Sequence, residues 1–167
     1  DGRLGRAQAG NTGAPVSISF DHQFELLSVG DGSSCAIDAE QAMYCWGTNY
    51  GGELGLGDQS SRVTPGQVAG SWSAVAVGAT HACGLQGADL FCWGSNDHGQ
   101  LGSGTLVESL TPESVASEGG WKRVAVGTNA TCAIDSADAL WCWGDNSQGQ
   151  LGTGDAWSIT PVQVIAK

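Results

Sequence analysis

The chain has 167 residues, of which 41% are apolar, and this is enough for one domain with a hydrophobic core. Its 27 glycines are about twice the usual share and favour many tight turns over long helices. Seventeen acidic against six basic residues give a net charge of −11, which argues against a nucleic-acid partner. No run approaches the roughly 18–20 apolar residues of a membrane span, so none is predicted.

Several sequence markers recur with a period of about 49 residues. A Gly-x-Leu-Gly element begins at Gly2, Gly52, Gly99 and Gly149, and a proline follows at Pro15, Pro65, Pro112 and Pro161. We therefore predict three complete repeats at 24–69, 70–118 and 119–167. Residues 1–23 would be the tail end of a preceding repeat, and all of these segments would belong to one domain.

Each repeat contains four short apolar runs separated by turn signals, which predicts four strands. In the first repeat the runs are FELLSVG, SCAID, MYCWG and VTPGQV, in chain order. A glycine-rich loop, here called the corner, joins the third run to the fourth at 47–58, 94–105 and 144–155. Four strands in about 50 residues indicate one blade of an all-β propeller. The proline in the fourth run suits a strand at the blade's edge.

The pattern W-G-x-N-x-x-G-x-L-G-x-G resembles the regulator of chromosome condensation repeat, in the cysteine-containing form of secreted bacterial proteins. The resemblance covers almost the whole chain. It implies a seven-bladed β-propeller, of which this chain would form an arc of about three and a half blades. Two activities of the family are not expected here. An acidic, disulfide-bonded chain does not suit nucleotide exchange on a nuclear GTPase, and the Gly-Trp-Arg-His-Thr pentapeptide of the plant ultraviolet photoreceptor is missing.

The corners are interpreted as turns that connect one blade to its neighbour. Their asparagines are predicted to bond their own main chain, and asparagine also tolerates left-handed backbone. The leucines that follow are predicted to point into the core, and the next glycines to let backbone pass closely. The residues are Asn49, Asn96 and Asn146; Leu54, Leu101 and Leu151; and Gly55, Gly102 and Gly152.

Six cysteines fall into three pairs, each bracketing the turn between the second and third strands. The predicted disulfides are Cys35–Cys45, Cys83–Cys92 and Cys132–Cys142. The middle pair encloses a two-residue turn at Gly87-Ala88, and the other two enclose three-residue turns. Reduced cysteines in the core are the alternative. Disulfides would place the chain outside the cell, in a periplasm or at the cell surface. Asn129 begins a possible glycosylation sequon.

No catalytic residue, metal site or cofactor is predicted, because no histidine recurs in phase with a nucleophile or with other ligands. We predict a non-enzymatic scaffold that binds a protein, or as second choice a glycan, through loops on one rim; no small-molecule ligand is expected. The candidate contacts are Tyr50, His98 and Gln148, taken as corresponding positions within the corner, and Arg62, Glu108 and Trp157 after it, with Trp157 placed in a loop. The alternative is a self-assembling subunit of a filament or coat, or half of a ring completed by a second chain.

Overall fold

The computed structural model describes residues 2–5, 14–15, 17–18, 20–116, 119–154 and 156–165. Its strands are β1 Phe24–Val29, β2 Ser33–Asp38, β3 Met43–Gly47, β4 Arg62–Val68, β5 Ala74–Val77, β6 His81–Gln86, β7 Asp89–Gly94, β8 Ser109–Val115, β9 Trp121–Val126, β10 Ala130–Asp135, β11 Leu140–Asp145 and β12 Trp157–Gln163. Within these ranges, no helix is long and apolar enough to cross a membrane.

The strands form three four-stranded antiparallel sheets, in the orders β1-β2-β3-β4, β5-β6-β7-β8 and β9-β10-β11-β12. The first strands of neighbouring sheets contact each other, and the fourth strands are the edges on the far side. The predicted all-β propeller is thereby confirmed as an arc of three blades. The seven-bladed ring stays a prediction, and much of the predicted preceding repeat lies outside the described residues.

The prolines of the fourth strands lie where the ladder is interrupted. In the first sheet Cys45 pairs with Gly66 and Gly47 pairs with Arg62, so the register shifts across the segment that contains Pro65. The same shift occurs at Pro112 and Pro161. Because proline cannot donate to a ladder, an edge strand with an irregular register accommodates it at little cost.

All three predicted disulfides form, each between directly opposed residues of the second and third strands. Gly87 has φ +61° in the two-residue turn, as the sequence predicts. The three-residue turns carry their positive φ at Gln41 and Asp138. Asp38 and Asp135 stabilise these turns by accepting hydrogen bonds from two following backbone amides each. Three disulfides are typical of proteins in an oxidising environment.

The hydrophobic core lies between blades, with one layer at each blade interface. The cystine face of the first sheet packs on Trp72 and Trp93 of the second repeat. The cystine face of the second sheet packs on Trp121 and Trp143 of the third in the same way. The second sheet, in the middle of the arc, is consequently buried on both faces, and its strand β6 is buried from His81 to Leu85 rather than on alternate residues.

Candidate binding surface on the corner rim

Each corner is held together by a buried asparagine. In the second repeat, Asn96 Oδ1 accepts the amide of Leu101 at 3.0 Å, and its Nδ2 donates to the carbonyls of Thr105 and Val107, both at 3.0 Å. Asn49 makes the corresponding bonds in the first repeat. The predicted bonding to main chain is confirmed, and the left-handed backbone that asparagine tolerates is not used by these residues. Their conformation is ordinary, and the side chain spans the whole loop.

The corners join neighbouring blades, as predicted. The Trp93 indole Nε1 donates to the carbonyl of Glu53 at 3.0 Å, and Trp143 Nε1 donates to that of Gln100 at 2.9 Å. The corner glycines are required here because a Cβ on Gly55 would lie 2.8 Å from Trp93 Nε1. The predicted close approach of the corner backbone is therefore confirmed at Gly55, and the neighbour that it approaches is an indole ring of the next blade.

Leu54, Leu101 and Leu151 are at most 1% exposed, so their predicted role as core plugs is confirmed. In the first and second corners, they fix the loop together with the asparagine bonds and the indole contacts. The corner is thus a rigid platform. Exposed side chains on it are presented in a defined arrangement, which is the condition for selective recognition.

The six predicted contacts all lie at one end of the blades, here called the corner rim. This end carries the corners, the starts of the fourth strands and the loop at 30–32, since Gly32 O accepts the amide of Thr48 at 2.9 Å. The opposite end carries the hairpin turns and the connections between blades, where the amide of Trp72 bonds Gln41 O at 2.8 Å. The turn at Gly70-Ser71, which lies in one of these connections, is therefore separated from the corner rim.

The exposed aromatic residues of the corner rim are Tyr50, 79% exposed, and Trp157, 50% exposed. Trp157 is the first residue of β12 and pairs with Asp145. Its predicted placement in a loop is wrong, because the fourth strand of this repeat begins one residue before the position where Arg62 and Ser109 begin theirs. The alternation of apolar and polar residues in the sequence does not indicate that extra strand residue.

The charged candidates are engaged with neighbours on the corner rim. Arg62 donates to the Asp58 carboxylate at 2.6 Å, and this hydrogen bond holds the pKa of Asp58 below its usual value. Glu108 accepts from Gln59 of the preceding repeat at 3.2 Å. These pairs orient the side chains but leave them accessible.

The alignment of Tyr50 with His98 and Gln148 is wrong by one position. The amides of His98 and Gln148 each donate, at 2.9 Å, to the glutamine side chain two residues further on. Gly51 makes the corresponding bond to Glu53 at 2.8 Å. His98 and Gln148 therefore match Gly51, and Tyr50 belongs to the preceding position of the corner. Both His98 and Gln148 are exposed.

A polar network around His22 was not anticipated from sequence. His22 Nδ1 lies 2.8 Å from Asp38 Oδ2, and Nε2 lies 3.3 Å from the Tyr44 hydroxyl. Glu40 completes a group whose potential ligand atoms lie within 4.8 Å of one another. Because both ring nitrogens of His22 already contact protein atoms, these contacts account for the cluster without a metal. His22 lies 16 residues before Asp38, and the three residues do not follow the spacing of a known metal-binding motif.

His81 is fully buried between the second and third blades. Its Nε2 lies 2.9 Å from Thr131 Oγ1, and that hydroxyl donates to Gln100 O at 2.8 Å. The hydroxyl has one proton, so His81 donates to it from Nε2–H. Burial lowers the pKa of His81 to about 4, and the ring is neutral at pH 7. This histidine links blades; it is not available to a ligand.

Comparison with known proteins agrees with this geometry. The family model of the regulator of chromosome condensation (RCC1) repeat matches residues 41–85, 88–134 and 138–167, and a second model of that repeat matches 121–150. The ultraviolet-B receptor UVR8 of Arabidopsis thaliana is 34% identical over 149 residues, covering 84% of this chain and 34% of the receptor. The chain thus spans about a third of the length of that relative.

Solved structures give the same fold. Yeast RCC1 (Prp20), in its complex with Kap60, superposes with a TM-score of 0.87 at 19% identity, over 99% of this chain and 43% of that one. Human WBSCR16 superposes with a TM-score of 0.83 at 22% identity, over 97% of this chain and 44% of that one. With the repeat model matching most of its residues, the chain belongs to the regulator of chromosome condensation (RCC1) repeat family.

Proposed function

We propose that the protein is a non-enzymatic scaffold that binds a protein partner through the corner rim. The observation that carries this proposal is the rigid platform, which presents Tyr50 and Trp157 to solvent at one end of the blades. Exposed aromatic side chains on a fixed frame are the usual anchors of protein recognition. Yeast RCC1, of the same fold, was solved bound to Kap60.

We propose an extracellular, periplasmic or cell-surface location for this binding. The support is one disulfide in each blade, because such bonds persist in oxidising compartments and are rare in the cytosol. The net charge of −11 favours partners with basic surfaces and disfavours nucleic acid.

Removing either exposed aromatic residue of the corner rim is expected to weaken partner binding about tenfold or more, as for interface hot spots. The measurement is capture of partners from the native extracellular milieu, followed by affinity measurement with Trp157→Ala and Tyr50→Ala. Leu27→Ala is the control, because Leu27 is 67% exposed but lies on innermost strand β1. Partners that bind the wild type and both rim variants equally would refute the proposal.

A second candidate is assembly with a further blade, and it is favoured by the exposed cystine face of the third sheet. Leu140 is 41% exposed there, whereas its equivalents Met43 and Leu90 are fully buried. A Cβ on Gly99 would meet Ile159 at 2.8 Å, but none of the described atoms lies within 4 Å of the equivalent point at Gly149. The blade that fits would come from the same polypeptide or from a second copy.

If the 167-residue polypeptide assembles through this face, light scattering will give a mass above 17.0 kDa that rises with concentration. Leu140→Glu should shift the protein to the monomer, since a charge cannot be buried unpaired in a blade interface. Leu106→Glu is the control, because Leu106 is 46% exposed on the corner rim. A constant mass of 17.0 kDa at every concentration would contradict assembly.

A further inference from the structure

A groove of about 740 Å³ lies along the outer side of the interface between the second and third blades. Two indole rings, Trp121 and Trp141, and the carboxylate of Asp135 lie along it, with Ser103 and Pro161. It is separate from the corner-rim aromatics and does not depend on the function proposed for them.

The groove follows from a change of side chain between repeats. At the first blade interface, Leu56 of the corner is partly buried and packs with Phe91 against the core. At the second interface the equivalent corner residue is Ser103, and Trp141 stands in place of Phe91. Serine lacks the branched end of the leucine side chain. The space that Leu56 covers at the first interface is therefore open at the second.

The two indoles and the carboxylate form one connected group. Trp121 and Trp141 are in edge-to-face contact with ring centroids 6.4 Å apart. Trp141 Nε1 donates to Asp135 Oδ2 at 2.8 Å, while Asp135 Oδ1 accepts the amides of Ala137 and Ala139 at 2.9 Å each. The Trp141 hydrogen bond is the main reason that the pKa of Asp135 lies below its usual value. The carboxylate is therefore a fixed negative charge beside an aromatic surface.

The nearby charges also favour a cation. The positive charge of Lys122 acts on the Asp135 carboxylate. However, Lys122 Nζ donates to Asp138 Oδ1 at 2.5 Å, so its charge is already paired. The net charge of −11 adds a general attraction for positive groups. A guanidinium can stack on an indole and pair with a carboxylate at once, which an ammonium does less well.

We propose that this groove binds an arginine side chain of a basic peptide segment in a partner protein, with the guanidinium over the indole of Trp141 and directed to Asp135. The partner is thereby defined by its chemistry as an arginine-rich extended segment. The backbone on either side would lie along the groove towards Thr160 and Pro161 of β12.

The test measures the affinity of a hexa-arginine peptide for the wild type and for variants at physiological salt. Ser103→Leu fills the groove as Leu56 does and changes no charge, so we expect binding to weaken about tenfold or more. Asp135→Asn should weaken it by a similar factor. Asp31→Asn removes the same charge from an exposed residue of the first repeat, away from the groove and from Lys122, so its affinity should stay within about twofold of wild type.

Equal affinity for the wild type and Ser103→Leu would overturn the proposal, because the peptide would then be held only by the general negative charge. Equal losses in Asp135→Asn and Asp31→Asn would overturn it for the same reason. If the wild type bound a hexasaccharide but no peptide, and Ser103→Leu abolished that binding, the groove would be assigned to a glycan instead. Near-ultraviolet circular dichroism of each variant verifies that the Trp121–Trp141 contact is retained.

Discussion

Trp93→Ala is expected to lower the free energy of unfolding by about 3–5 kcal/mol, the range for large aromatic residues removed from a packed core. Trp93 is fully buried and belongs to the first interface cluster. Its loss also leaves the carbonyl of Glu53 without the indole N–H that lies 3.0 Å away. Urea unfolding followed by circular dichroism measures the change.

Trp157→Ala is the matched control, because Trp157 is half exposed and begins an edge strand. Its substitution should change the free energy of unfolding by less than about 1 kcal/mol. Trp93→Phe separates packing from hydrogen bonding, since it retains most of the ring but lacks the N–H. If Trp93→Ala and Trp157→Ala proved equally mild, the corner would not be what couples the blades.

The protein is expected to lose about 3 kcal/mol of stability through His81 as the pH falls from 6.5 to 4. The folded-state pKa of His81, about 4, lies below the value of 6.5 for the free side chain. The unfolded chain therefore binds a proton first. The stability is fully present above pH 6.5, is lost as the pH falls, and reaches its minimum below the folded pKa.

Urea unfolding at intervals between pH 7 and pH 4 tests this, with His81→Gln as the decisive variant. Glutamine can donate to Thr131 Oγ1 as the imidazole Nε2 does, but it does not titrate. His81→Gln should therefore lose some stability at pH 7 and have a flatter pH profile below it. His98→Gln is the control, because His98 is exposed and its variant should keep the wild-type acid sensitivity. An unchanged slope in His81→Gln would contradict the assignment.

The strands could be predicted from sequence because two kinds of local information agree. The period near 49 residues brings equivalent runs into register, and the cysteine spacing fixes the length of each hairpin. Cys83 and Cys92 are nine residues apart, so a turn of an even number of residues places them opposite each other, and Gly87 favours two. The predicted run MYCWG is the observed strand β3.

The contacts across blades could not be predicted in detail. The sequence predicts that Asn96 bonds main chain, but it does not identify the partners, which are carbonyls nine and eleven residues away. The sequence also predicts the close approach of backbone at Gly55, but not its neighbour, which is a ring of the following repeat. Such partners depend on how sheets stack, and the chain does not encode this within one repeat. The sequence also does not show that the six candidate contacts lie on one rim, because this too depends on how the sheets stack.

Each indole is covered by the corner of the preceding repeat. The unit that packs together therefore does not coincide with one sequence repeat, because it combines parts of two successive repeats. Glu53 and Trp93 act together although they lie in successive repeats. Excising one full period would bring an equivalent corner against an equivalent indole, so the array can change length with its junctions conserved. An isolated sheet would lack the corner that covers its tryptophan. We therefore expect the smallest piece that folds alone to be a pair of blades, and longer truncations to be made in whole repeat periods.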